Sequence, residues 1–100
     1  MNTKLPQELE ALLAITKKQL DPEDWEVKTE IRERKDYFVY EVSFATNTLN
    51  YKSCITASEL RIMAGFASLA GGGNWVVNNT AGRLIVDITI IEDKVEQFYD

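Results

Sequence analysis

The chain has 100 residues, a net charge of -5, 45% hydrophobic and 27% charged residues, one cysteine and no histidine. That is one domain of ordinary soluble composition, residues 1–100, with enough apolar content for a single core without disulfides. A lone Cys54 excludes an internal disulfide and fits a reducing compartment, and the acidic balance argues against nucleic acid as partner.

From the N-terminus, Met1 to Leu20 is punctuated by Lys4, Pro6, Glu8, Glu10, Lys17 and Lys18, so it does not read as a signal peptide, and the expected compartment is the cytoplasm. No apolar run approaches the roughly 20 residues of a membrane span. A helix is expected from about Pro6 to Leu20. Proline suits its first turn, Glu8 and Glu10 its positive end, and Lys17 and Lys18 its negative end. Leu9, Leu12, Leu13 and Leu20 form its apolar stripe, with Ile15 beside it, and Asp21-Pro22 ends it.

Three strands should follow. Trp25, Val27, Thr29 and Ile31 alternate with Glu26, Lys28, Glu30 and Arg32. After a turn at Arg34-Lys35-Asp36, Phe38, Tyr40, Val42 and Phe44 line one face of a second strand, opposite Tyr37, Val39, Glu41 and Ser43. Thr46-Asn47-Thr48 reads as a turn into a third strand with Leu49, Tyr51, Ser53 and Ile55 on one face. Thr56 and Glu59 then form a T-x-x-E capping box, flanked by Ile55 and Leu60 at the staple positions. The helix they open, Ala57 to Ala70, is apolar nearly all round, with Leu60, Ile62, Met63, Phe66 and Leu69 beside the small residues Ala64, Gly65 and Ser68. Such a helix is covered on more than one side, by the sheet and by either the first helix or a partner chain.

Gly71-Gly72-Gly73 invites a phosphate-loop reading, but a phosphate loop runs from a strand into a helix N-terminus. Here a helix runs into the glycines, which marks them as a stop signal. A short strand at Trp75-Val76-Val77, a turn over Asn78 to Gly82, and a last strand with Leu84, Val86, Ile88 and Ile90 alternating with Ile85, Asp87, Thr89 and Ile91 follow. The richness of that strand in Ile and Val makes it central to the sheet. The tail, Asp93 to Tyr99, has room for a short helix docking Val95 and Phe98. The expected fold is α+β: a two-layer antiparallel sheet of about five strands packed by two helices, in the order α-β-β-β-α-β-β with a short C-terminal helix as an addition.

Chemistry is sparse. Without histidine the Ser-His and Cys-His nucleophile pairs and histidine metal sites are excluded, and Asp21-Pro22-Glu23-Asp24 lacks the spacing and glycine of a calcium loop. No catalytic residue, metal ligand or cofactor site is assigned. Asp87 interrupts an apolar strand. On a covered face it would need Arg61 or Arg83 as partner, and on an open face it keeps the strand soluble, which is the reading adopted. Arg32, Arg34 and Lys35 gather at a hairpin tip, an ordinary solvated turn. The face carrying Tyr37, Val39 and Glu41 cannot be covered by the same helices as its opposite, and it is the expected partner-binding surface. Ala64, Gly65 and Ser68 are the expected homodimer contact.

The element order resembles that of the small acidic chaperones that bind effector proteins in bacterial type III secretion, which are dimers built from an α-β-β-β-α-β-β-α domain. The resemblance is one of topology across the whole chain; this chain is shorter and its last helix rudimentary. Small acidic phage inhibitors and immunity proteins of toxin systems share its size, charge and lack of catalytic residues. The expected function is therefore non-enzymatic: binding another protein as an inhibitor, immunity protein or chaperone-like adaptor. The alternative is a small-molecule binder or minor enzyme with a pocket between sheet and helix, using Cys54, Tyr51 or Asp87.

Overall fold

Hydrophobic periodicity and end signals decide the elements of the computed structural model, which describes residues 5–46, 54–71, 74–80 and 83–94. In order they are α1 (Gln7–Gln19), β1 (Trp25–Glu33), β2 (Tyr37–Thr46), α2 (Ala57–Leu69), β3 (Asn74–Thr80) and β4 (Arg83–Asp93). The class is α+β, with, among the described residues, one four-stranded sheet in the order β1-β2-β4-β3 and antiparallel pairing throughout. β4 lies inside the sheet, as its Ile/Val content implies.

The helix ends follow their sequence signals. α1 has Glu8 and Glu10 in its first turn and Lys17 and Lys18 in its last, and it stops at Leu20, which is extended. Leu9, Leu13 and Leu20 are buried, whereas Ile15 is exposed. Thr16, which the apolar stripe left out, is buried too; its hydroxyl donates to the Leu12 carbonyl at 2.9 Å. In α2 the capping box is complete: Thr56 Oγ1 accepts from the Glu59 N–H at 3.1 Å, and Glu59 Oε1 accepts from the Thr56 N–H at 2.9 Å. Gly71 follows the helix with φ +76, the left-handed geometry that stops it.

One face of the sheet makes the core. Tyr40, Val42 and Phe44 of β2 and Val86, Ile88 and Ile90 of β4 are buried with Trp25, and they pack beneath Leu9 and Leu13 of α1 and Met63, Phe66 and Ala67 of α2. Phe44 and Phe66 meet edge to face at 5.9 Å between centroids. The seam between β2 and β4 sets Val42 opposite Ile88 and Phe44 opposite Val86. All four side chains are fully buried, a gain of about 1.5–3 kcal/mol each.

Two ties hold the start of β1. Trp25 is buried, and its indole Nε1–H donates to Glu59 Oε2 at 2.9 Å, so the carboxylate that caps α2 also anchors β1. At the same end Arg83 spans three strands. Its Nε donates to the Thr46 carbonyl at 2.9 Å and its Nη2 to Glu26 at 2.8 Å, while buried Thr46 accepts the Leu84 N–H on its hydroxyl at 3.1 Å.

Some expectations are corrected. Among the described residues the sheet has four strands, where about five were expected. Of the expected strand from Leu49 to Ile55, residues 49–53 lie outside the described residues, and Cys54 and Ile55 are not in a strand but lead into the α2 cap, with Ile55 packed on the core. The expected tail helix falls on residues 93–99, of which Asp93 still belongs to β4 and 95–99 lie outside the described residues. The turn placed at Asn78 to Gly82 is shorter, because β3 continues to Thr80, paired with Arg83. Asn78 and Asn79 stay in the ladder opposite Ile85 and Leu84; on an exposed edge strand their side chains keep water, so pairing overrides turn propensity.

Two outcomes are expected. Gly71→Ala costs about 1 kcal/mol, because the space around a Cβ is open and only the positive φ resists it; an unchanged denaturation midpoint contradicts this. A double-mutant cycle of Trp25→Phe and Glu59→Gln gives a coupling of about 1 kcal/mol; additive effects mean that the indole bond carries no stability.

Candidate functional site

The register divides the side chains of the sheet into two sets. On the face away from the helices lie Glu26, Lys28, Glu30 and Arg32 of β1, Tyr37, Val39, Glu41 and Ser43 of β2, Ile85, Asp87, Thr89 and Ile91 of β4, and Val76 and Asn78 of β3. The expected trio Tyr37, Val39 and Glu41 is therefore on the uncovered face, and all three are half-buried among their neighbours. Val39 sits directly opposite Ile91, which is 60% exposed, and Tyr37 opposite Asp93. Glu41 accepts from Arg32 Nη2 at 2.6 Å, and Arg32 also reaches Glu30 at 3.5 Å. Alternation predicted Tyr37 and Val39 on this face; Ile91 joins them only through the β2–β4 register, which sequence pattern alone does not specify.

Asp87 is on the same open face, as adopted from the sequence. Neither Arg61 nor Arg83 meets it. Its carboxylate takes the Ser43 hydroxyl at 2.5 Å and Asn78 Nδ2 at 3.4 Å, so it bridges three strands as an acceptor. Of the basic trio, Arg32 is engaged with Glu41 and Glu30, while Arg34 and Lys35 are exposed at the β1–β2 turn. The Arg83 guanidinium, and then Lys28, hold the Glu26 carboxyl below its ordinary value.

On α2, Ala64 and Gly65 are half-buried and Ser68 is exposed. A Cβ at Gly65 would meet nothing within 4 Å, so among the described residues no neighbouring element packs against that point. Cys54 is exposed ahead of the cap.

Between α1, the end of α2 and the last residues of β4 lies a hollow of about 250 Å³, lined by Leu9, Leu12, Leu69 and Ile90 with Tyr40 and Glu92. Neither Cys54 nor Asp87 borders it, and Tyr51 lies outside the described residues, so the residues expected to serve a pocket are not brought together here. Tyr40 was read as core, and it is buried; its hydroxyl also donates to Glu92 Oε1 at 2.7 Å. Burial first, and then the adjoining carboxylate, push its phenol up to about 12. It is thus a hydrogen-bond donor and not a base at neutral pH. Among the described residues no group of three or more His, Cys, Asp or Glu converges as a metal site, and no helix is long and apolar enough to cross a membrane.

The raised phenol pKa has a definite sign. The unfolded chain ionises Tyr40 near its ordinary value of about 10, and the folded chain only near 12, so the stabilisation is complete below the first and lost as pH rises through the second. Ultraviolet difference titration of wild type against Tyr40→Phe should show a phenol titrating well above the ordinary range, and Glu92→Gln should lower it; a Tyr40 phenol that titrates at about 10 contradicts the assignment.

Comparison of the chain with protein-family models, with curated proteins and with solved structures found no match.

Proposed function

We propose that the chain is a non-enzymatic protein-binding module, acting as an inhibitor, immunity protein or chaperone-like adaptor by covering a partner's surface with its open sheet face. The observation that carries this reading is the pairing of Val39 with exposed Ile91 beside Tyr37 on the face that neither helix covers. An aromatic and two aliphatic side chains framed by charged ones match the make-up of a small interface core with a polar rim. The frame is already organised: Arg32 fixes Glu41, and Ser43 and Asn78 fix Asp87, so little side-chain ordering remains on binding. The net charge of -5 favours a partner with a basic contact surface and speeds its approach. The module needs no cofactor and works in the cytoplasm.

A second reading, small-molecule binding, is favoured by the hollow with the Tyr40–Glu92 pair at its wall. It predicts ligand-induced thermal shifts that Leu12→Trp abolishes and Tyr37→Ala leaves alone.

The first reading is tested by capture from a host lysate. Wild type should retain a stoichiometric protein partner. Tyr37→Ala should weaken its binding about thirtyfold or more, as expected for an interface anchor, and Ile91→Lys should abolish it, with both variants melting near wild type. A partner held equally by wild type and both variants, or no partner at all, contradicts the assignment.

A further inference from the structure

The two edges of the sheet differ in character. β1 carries Glu26, Lys28, Glu30, Arg32 and Glu33, the kind of charged edge that discourages pairing with another chain. β3, at the other edge, has the sequence Asn-Trp-Val-Val-Asn-Asn-Thr, with no charge and no proline. Its three large residues stand in the open: Trp75 is 37%, Val76 53% and Val77 48% exposed. The helices do not shield it, although Trp75 and Val77 lie on the helix side of the sheet, opposite Ile88 and Val86.

The geometry points to β3 as a pairing edge whose occupant is a second copy of this chain, joined antiparallel about a two-fold axis through Val76. In an antiparallel pair, residues directly opposite share a face. With the axis at Val76, Trp75 of each copy lies opposite Val77 of the other on the helix side. Val76 meets Val76 on the open side. Each apolar residue of β3 then meets an apolar one. A shift of the axis to Val77 sets Trp75 against Asn79 and Val76 against Asn78; a shift to Trp75 sets Val76 against Asn74. Of these three, only the Val76 register sets every apolar residue of β3 against another apolar one. It also places no charge opposite its own copy, which matters for two chains that each carry -5.

The product is a continuous eight-stranded sheet with the helices of both copies on one side. This assembly is independent of whether the open face binds another protein. One seven-residue strand contributes a small interface, so the dimer is weak and concentration-dependent.

Sedimentation equilibrium of the full chain, from micromolar to millimolar concentration, should show a monomer–dimer equilibrium. Val76→Lys should shift it at least tenfold towards monomer, while Ala64→Glu, on the small-residue surface of α2, should leave it unchanged. Cys54→Ser combined with Val76→Cys should form a covalent dimer on mild oxidation, and Cys54→Ser with Glu30→Cys should not; this pair decides the matter even if Val76→Lys fails to fold. A wild type that stays monomeric throughout, a dimer broken by Ala64→Glu and not by Val76→Lys, or no cross-link through position 76 overturns the proposal.

Discussion

Glu59 does two jobs with one carboxylate. One oxygen closes the capping box of α2, and the other receives the indole N–H of Trp25. The first sets where the helix starts; the second sets where that start sits relative to β1. Because Trp25 is also the residue at which the sheet begins, the register of β1 on β2 and the placement of α2 over the core are coupled through this side chain. Arg83 plays a comparable part on the far side of β2, tying the ends of β1, β2 and β4. Both ties lie at one end of the sheet. At the opposite end Lys94 stands over the Phe38 ring and pairs with Glu33.

With one end and one face fixed in this way, the other face is left to solvent. Several of its polar groups are paired within the sheet, Arg32 with Glu41 and Asp87 with Ser43 and Asn78, so these compete little for a partner's groups. Between those pairs stand Val39 and Ile91, with Tyr37 beside them. The uncharged edge at β3 is a separate feature, perpendicular in direction. One surface lies across the strands and the other alongside them, so a second copy at β3 would extend the open face and not occlude it.

Much of the fold was legible because its signals are local. A Thr and a Glu three residues apart, a proline after an aspartate, a glycine after an apolar helix, and strict alternation in Tyr37 to Phe44 each act within a few residues. The failures were of two kinds. Asn78 and Asn79 have turn chemistry but sit in a strand, since pairing with β4 outweighs their preference. Ile91 joins Val39, and Glu92 joins Tyr40, through a register set by tertiary packing, so no window of sequence contains either pair. The Trp25–Glu59 bond has the same origin, being made between residues 34 apart in the chain.

The seam between β2 and β4 has a kinetic consequence. β1–β2 and β3–β4 are hairpins that can form from neighbouring residues, whereas the seam joins positions such as Ser43 and Asp87, 44 residues apart, across α2. Closing that loop spends chain entropy before the buried Val42, Phe44, Val86 and Ile88 return any of it. Folding should therefore be governed by the meeting of two preformed hairpins. Truncations along the seam would then slow refolding, and truncations at the outer strands would mainly hasten unfolding.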